Sequence, residues 1–379
     1  MHEQEPAVPQ VDGAPDPAPV SEWRVPRAVT LVVSGGLLAV SLLLAMLLPV
    51  PYAVQRPGPT VNTLGEHEGE PLIEVTDEET YPTSGDLRLT TVSVVGGPGY
   101  PVTSFDVLLG WFRADQLVLP VEAVFPDDAT QEELDEQSNV QMASSQTNAT
   151  VAALEELDYD VPMELTVSGV AQGSDAAGKV HDGDLLTSVR APGQDRVQVG
   201  AYSQLVGVLQ RTDPGTTVQL GVHREGEDLD VPVVTRRAPS GTEGSVLGIY
   251  LDPQIQVPVD VSFDIDDIGG PSAGTMFALG IIDTLTPGEM TGGEHIAGTG
   301  TMDLAGQVGI IGGIEQKLVG ARRDGADWFL APEGNCEQTE GHVPDGLRVV
   351  PVGTLAEARD AVEAIGQGDG DSLPTCAEG

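Results

Sequence analysis

The chain has 379 residues, with 59 acidic against 17 basic side chains and a net charge of −42. That length admits two or three domains, and that charge argues against nucleic acid as a partner, since phosphate contacts need clustered Lys and Arg. Two lysines, Lys179 and Lys317, and two cysteines, Cys336 and Cys376, are all the sequence holds; neither lysine stands in a Gly-x-x-x-x-Gly-Lys-[Ser/Thr] phosphate loop, no Cys-x-x-Cys pair exists and no His-Glu-x-x-His helix occurs, so no nucleotide, cofactor or metal is expected.

Residues 1–27 open with a Pro-, Ala- and acid-rich stretch that predicts a disordered tail. Residues 28–50 (Ala28 to Val50) form an uncharged apolar run. As a helix it would be roughly 35 Å long, enough to cross a bilayer. It is too long for the core of a typical signal peptide, and no small-x-small cleavage site follows, so an uncleaved anchor is expected. Arg24 and Arg27 precede the run and Arg56 follows it. The positive-inside rule then predicts a cytoplasmic tail at the cell membrane and an extracytoplasmic remainder. An outside location would permit a Cys336–Cys376 disulfide; two unpaired buried thiols are the other reading.

Residues 51–150 mix short strand-like runs, such as Leu87 to Val95, with Pro and Gly turns. They form a juxtamembrane segment that ends in an acidic patch (Asp127 to Glu136) and a helix expected over Ala149 to Leu157. Residues 151–240 change pattern. Glu164 to Val170 reads as a strand. A small-residue turn follows, then Gly183-Asp184-Leu185, a helix over Tyr202 to Gln210, Pro214-Gly215, and two strands joined at Glu225-Gly226-Glu227. This ordered set resembles a PDZ domain of the bacterial protease type, without a clear counterpart of the carboxylate-binding loop. PDZ domains capture peptide C-termini by adding a strand to a sheet edge; a spacer role is the plainer reading.

The last domain is expected over residues 244–366, before a disordered tail at 367–379. Apolar residues from Ile255 to Ile265 alternate strictly with polar ones and with Pro258, which predicts one half-buried edge strand. A helix apolar on nearly every face is expected from Ser272 to Leu285. A second helix is expected over Ile314 to Asp324. At 100° per residue it places Ile314, Lys317, Leu318 and Ala321 on one stripe, with Gln316 and Arg323 facing away. Lys317 therefore points at the core. A buried ammonium is costly unless paired or deprotonated, and a lysine neutral near pH 7 is a general base for a nearby hydroxyl. Ser272, in Gly269-Gly270-Pro271-Ser272-Ala273-Gly274, would stand at a helix start, where backbone N–H groups and the helix dipole favour an oxyanion. A plain N-cap is the competing role for Ser272; the lysine on a buried face tips the balance to catalysis.

Gly270-Pro271-Ser272-Ala273-Gly274, Thr299-Gly300 and the run Val308 to Lys317 resemble the proteolytic domain of Lon proteases. The resemblance implies Ser272 as nucleophile, Lys317 as base and Thr299 beside the dyad, with Gly270, Pro271 and Ala273 shaping the catalytic loop. It also implies homo-oligomers. The order of anchor, PDZ-like domain and Lon-type domain is similar to the membrane-anchored PDZ/Lon-type proteases of Gram-positive bacteria. The fold class expected is α+β: one transmembrane helix, a β-rich PDZ-like domain and a Lon-type proteolytic domain. The function expected is an ATP-independent serine endopeptidase acting on unfolded or membrane-proximal proteins. Two departures stand out. No ATPase module accompanies the domain, and Gly269 occupies a position that is acidic in some Lon proteins, with Asp266 and Asp267 out of register. Two other classes share some of these features. An α/β-hydrolase fits Gly270 to Gly274 as Gly-x-Ser-x-Gly, with His295 or His342 as its histidine, but lacks the strand–helix units that should precede the serine. A catalytically inactive, membrane-tethered PDZ scaffold fits the organisation but not the joint presence of Ser272, Thr299 and Lys317.

Overall fold

The computed structural model describes residues 26–67, 69–126, 129–238, 244–265 and 268–376. Most of the expected N-terminal tail, with Arg24, and the acids Asp127, Asp128, Asp266 and Asp267 lie outside them. The first element is α1 (Arg27–Met46), an apolar helix with no buried side chain and long enough to cross a bilayer. It is followed by β1 (Tyr52–Asn62), β2 (Asp86–Val95), α2 (Ser104–Phe112), β3 (Leu117–Pro120) and α3 (Gln131–Glu156). Next come β4 (Met163–Val170), β5 (Leu185–Arg190), α4 (Tyr202–Gln210), β6 (Thr217–Arg224), β7 (Glu227–Val234) and β8 (Ile249–Ile255). The last part holds β9 (Asp260–Phe263), α5 (Gly274–Leu285), β10 (His295–Gly298), α6 (Ile314–Arg323), β11 (Trp328–Pro332), β12 (Arg348–Val352) and α7 (Leu355–Gly366). The class is α+β, as expected.

Two sheets organise these elements. In the first, the strand order is β12-β11-β10-β2-β1-β3. The pairs β12–β11, β11–β10 and β10–β2 are parallel, and β2–β1 and β1–β3 are antiparallel. Residues 51–120 are thus half of the sheet that carries the C-terminal elements. The expectation of a separate juxtamembrane segment at 51–150 gives way here, because β2, which carries β1 and β3 beside it, finds its parallel partner more than two hundred residues later. Even the short strand Ile73–Thr76 pairs with β9. Helix α5 is sealed by this assembly; Met276, Phe277, Ala278, Leu279 and Ile281 are wholly buried, and Phe277 meets Phe263 with ring centroids 4.9 Å apart.

The second sheet, β7-β6-β5-β4-β8, contains the elements expected of the PDZ-like region. The β6–β7 hairpin keeps register from Thr217 opposite Val234 to Arg224 opposite Glu227. Its Gly183-Asp184 turn has a physical purpose. Asp184 is buried, accepts from His181 N at 2.9 Å and forms two 2.6 Å bonds with Arg224. The guanidinium holds its carboxyl below the usual range. The sheet does not stop at residue 240. Strand β8 pairs antiparallel with β4 along its whole length and forms the sheet's outer edge.

Several local expectations shift. The single strand over Ile255 to Ile265 is two strands, because Gln256 N bonds back to Pro162 O and the chain then leaves to pair, as β9, with Ile73–Thr76. The helix expected to begin at Ala149 begins at Gln131, where Thr130 and Glu133 form a reciprocal capping box. The tail at 367–379 is ordered to residue 376: Gly370–Ser372 forms a helical turn, Arg348 bonds Asp371 O and Leu373 O, and Cys376 is buried.

Cys376 is bonded to Cys336 with Cα atoms 4.9 Å apart, closing a separation of 40 residues. A loop of that size stabilises by about 4 kcal/mol in the chain-entropy account. Replacing both cysteines by Ser is therefore expected to lower the denaturant midpoint of the protein. Mass spectrometry of unreduced peptides should find the linked pair; two alkylatable thiols in freshly purified protein would remove the bond and the stabilisation together.

Candidate active site

Helix α6 follows Gly313, whose φ of 68° is left-handed and whose position against Val92 leaves no space for a side chain. That turn aims the first helical turn at the sheet. Ile314, Lys317, Leu318 and Ala321 are all buried, as their stripe predicts. Gln316 is buried as well, contrary to its expected outward position, because α6 packs on β1 and β2 with more than one face. Arg323 holds that packing by donating to Gly58 O at 2.7 Å, and Asp324 accepts from Thr60 Oγ1 at 3.0 Å.

Lys317 is 3 % exposed, and its Nζ lies 2.7 Å from Ser272 Oγ and 2.8 Å from Thr299 Oγ1. Among the described residues no carboxylate pairs with it. Burial alone therefore acts on its proton and lowers the pKa from 10.5 to about 7. Thr299 is fully buried and donates its own proton to Ser272 O at 3.0 Å. Its oxygen is thus left to accept an N–H of Lys317, and the lone pair of the neutral amine can face the serine. Gly300 N also donates to Ser272 O, at 2.9 Å, so the serine backbone is held by two consecutive residues.

The Gly269–Ala273 loop is positioned by α3. Ser138, Met142 and Ser145 share one face of that helix, at i, i+4 and i+7. Ser138 O accepts from Gly270 N at 3.1 Å and Ser145 Oγ donates to Pro271 O at 3.1 Å, while Met142 lines the cavity beside them. Gly269 lies so close to Ser138 that any side chain would collide. Gly270 has φ of +86°, which turns the chain so that Ser272 stands half-buried at the cavity while Ala273 is buried. The sequence reading missed Ser138, Ser145 and Asn335. Asn335 is buried and exchanges two hydrogen bonds with the backbone of Ile311, at 2.9 and 3.0 Å, fixing the loop opposite the serine. The small polar residues on one face of α3 were a legible signal; Asn335 gave none.

Ser272 and Lys317 open onto a cavity of about 700 Å³. One wall is β2. Strand β10 pairs with it only from Asp86 to Leu89, so among the described residues Thr90 to Val95 present an unpaired backbone edge to the cavity. Gly312, Ile310 and Ile311 form the opposite side, and Arg56 and Tyr100 stand on its border. His295 and His342 do not line it. His295 pairs with Asp86 at 2.6 Å and His342 with Glu315 at 3.6 Å, so neither forms a histidine–serine pair with Ser272.

Residues 255–362 match the model of the Lon protease (S16) C-terminal proteolytic domain family. The Lon protease of Clostridioides difficile is 33% identical over 116 residues, which are 30% of this chain and 14% of that protein. The Lon protease of Fusobacterium nucleatum is 37% identical over 96 residues, 25% of this chain and 12% of that one. The chain therefore spans about an eighth of the length of these relatives. Among solved structures, the PDZ domains of SdrC-like proteins from Listeria monocytogenes and Listeria innocua align at 18% and 19% identity. Each covers 23% of this chain, with 85% and 92% of the respective domain and a TM-score of 0.20 in both cases.

The depressed lysine gives a prediction on stability. The folded state holds this amine neutral above about pH 7, whereas the unfolded chain keeps it protonated up to about 10.5. Between those values the unfolded state binds the extra proton, so stability rises with pH through that window, and below it the burial penalty is present in full. Relative to Lys317→Met, the wild type should gain thermal stability from pH 7 to pH 10. Calorimetric melts of both proteins test this; a difference that does not change with pH would return Lys317 to its ordinary pKa.

Proposed function

We propose that this protein is a membrane-anchored serine endopeptidase of the Lon type that works without ATP. The observation that carries the reading is the buried triangle of Ser272 Oγ, Lys317 Nζ and Thr299 Oγ1, with contacts of 2.7 and 2.8 Å to the amine. It lies in a region similar to Lon proteolytic domains, and those support a serine peptidase.

In this mechanism the neutral amine of Lys317 takes the proton of Ser272 as Oγ attacks the scissile carbonyl. Thr299 keeps the amine turned toward the serine. The oxyanion forms against backbone N–H groups at the start of α5, where the helix dipole assists. The lysine ammonium then gives its proton to the leaving amine, and the acyl-enzyme is hydrolysed by water that the same lysine deprotonates. The free edge of β2 offers an extended segment the backbone pairing it needs, which favours unfolded or loosely structured substrates. A folded protein would have to be opened elsewhere, since no nucleotide-binding loop is present in the sequence. The apolar α1, with Arg27 at its start, supports an anchor that leaves the catalytic body outside the cytoplasm.

Two variants test the mechanism. Ser272→Ala and Lys317→Arg are each expected to lower peptide cleavage by about a thousandfold or more while remaining folded. Arginine keeps the positive charge but cannot act as a base, because its pKa stays above about 12. Near-wild-type cleavage by a folded Lys317→Arg protein would refute the dyad.

The pH profile and the nucleotide requirement are separate checks. The rate should fall about tenfold per unit below pH 7 and level off above it, because only the neutral amine is a base. Cleavage of an unfolded protein should proceed equally with and without added ATP. A strict dependence on nucleotide in the pure protein would overturn the ATP-independent part of the reading alone.

A further inference from the structure

Helix α2 carries its apolar face outward. Val107 and Gly110 turn inward onto Val54 and Val118. On the other side Phe105, Leu108, Leu109 and Phe112 follow the i, i+3, i+4, i+7 spacing of a single stripe, and all are exposed, Phe112 by 82 %. Trp111, 64 % exposed, flanks the stripe and rests edge-on against Tyr52. In a chain with 59 acids, the sole carboxylate on this helix is Asp106, which is consumed in capping Thr103. Water does not favour such a face, and large exposed apolar patches mark contact surfaces.

The backbone says what covers it. Helix α1 ends at Met46, and within two residues the chain is tied to the start of α2. Ser104 N donates to Leu48 O at 3.0 Å, and Pro49–Val50 pairs with Val102–Thr103. The stripe therefore begins at the level where α1 ends. We propose that α2 lies in the membrane interface, with Phe105, Leu108, Leu109 and Phe112 in the acyl boundary and Trp111 at headgroup depth. This rests on the reading of α1 as a membrane span. Short amphipathic helices with aromatic residues take this position when apolar burial and interfacial anchoring act together. Arg113, exposed at the end of α2, can reach lipid phosphates from there. The protein's charge would repel an anionic surface, so burial of the stripe supplies the attraction. Tyr100, close before the Thr103 cap, borders the catalytic cavity. Seating α2 in the interface brings that end of the cavity to the membrane, where anchored or membrane-proximal chains pass.

The test uses the full chain in phosphatidylcholine vesicles, with Trp111→Phe as its reference. The difference in emission between the two proteins isolates Trp111 from Trp23 and Trp328. That signal is expected to lose more than half its intensity when the lipids carry bromine near the headgroup, and to resist aqueous iodide. Phe112→Asp should lower cleavage of a membrane-tethered substrate about tenfold and leave cleavage of a short soluble peptide unchanged. A chain that stays with the vesicles through a carbonate wash, yet shows Trp111 open to iodide and blind to brominated lipid, overturns the placement of α2 and keeps the anchor. A chain released by the wash overturns both. Efficient disulfide dimers of a Phe112→Cys protein in the same vesicles would assign the face to a second copy and overturn the lipid contact.

Discussion

A base made from lysine has to be kept out of water and away from acids at the same time. Moving its pKa from 10.5 to about 7 corresponds to a penalty on the order of 5 kcal/mol against the ammonium. One carboxylate within a few ångströms would cancel that penalty by favouring the charged form. In a chain with 59 acidic residues, the surroundings of Lys317 are constrained by what they exclude. Among the described residues its hydrogen-bond partners are two hydroxyls, and the rest of its stripe is Ile314, Leu318 and Ala321. Neutral hydroxyls satisfy a neutral amine without restoring its charge.

That constraint spreads through the fold. To bury the amine, α6 needs β1 and β2 beneath it, and those strands come from the N-terminal part of the chain. To bring the serine to the amine, the Gly269–Ala273 loop needs the small-residue face of α3, also N-terminal. The opposite loop is fixed by Asn335, next to a cysteine whose disulfide gathers in the end of the chain. The geometry of Ser272, Thr299 and Lys317 thus depends on contacts made from residue 58 to residue 376. The matched region 255–362 holds Ser272, Thr299 and Lys317, but about half of the sheet and the helix under the serine loop lie before it.

This also explains what could be read from the sequence. Elements whose signal is local were legible: the apolar helix α1, the β6–β7 hairpin around Glu225-Gly226 and the buried stripe of α6. Ser272, Thr299 and Lys317 were legible because their motifs are local and because a lysine in this chain is rare. Domain limits were not. Nothing near Asp86 announces a partner at His295, and nothing at Ile249 announces pairing with Val170. Register between distant strands is set by tertiary packing and leaves no periodic trace. Gln316 was misplaced for a related reason: a helical wheel assumes one buried face, and α6 is covered on more than one. Alternation failed across Gln256 to Pro258, where period two persists although the backbone leaves one sheet for another.

The PDZ-like sheet is an insertion between the two halves of the first sheet. Strands β1 to β3 and α3 precede it, and β9 with everything that follows comes after. Pairing of β2 with β10 therefore has to wait for more than 200 residues of intervening chain, from Asp86 to His295. Closing such a loop costs little more than closing a short one, but contacts this distant in sequence slow folding. The inserted sheet pairs mostly strands adjacent in sequence, whose contacts form sooner, and β8 pairs with β4 so that the ends of the insertion come together. Once formed, the insertion acts as a short connector between α3 and β9. Its fold then contributes to the active site indirectly, by reducing the effective distance over which the serine loop has to find the helix that supports it.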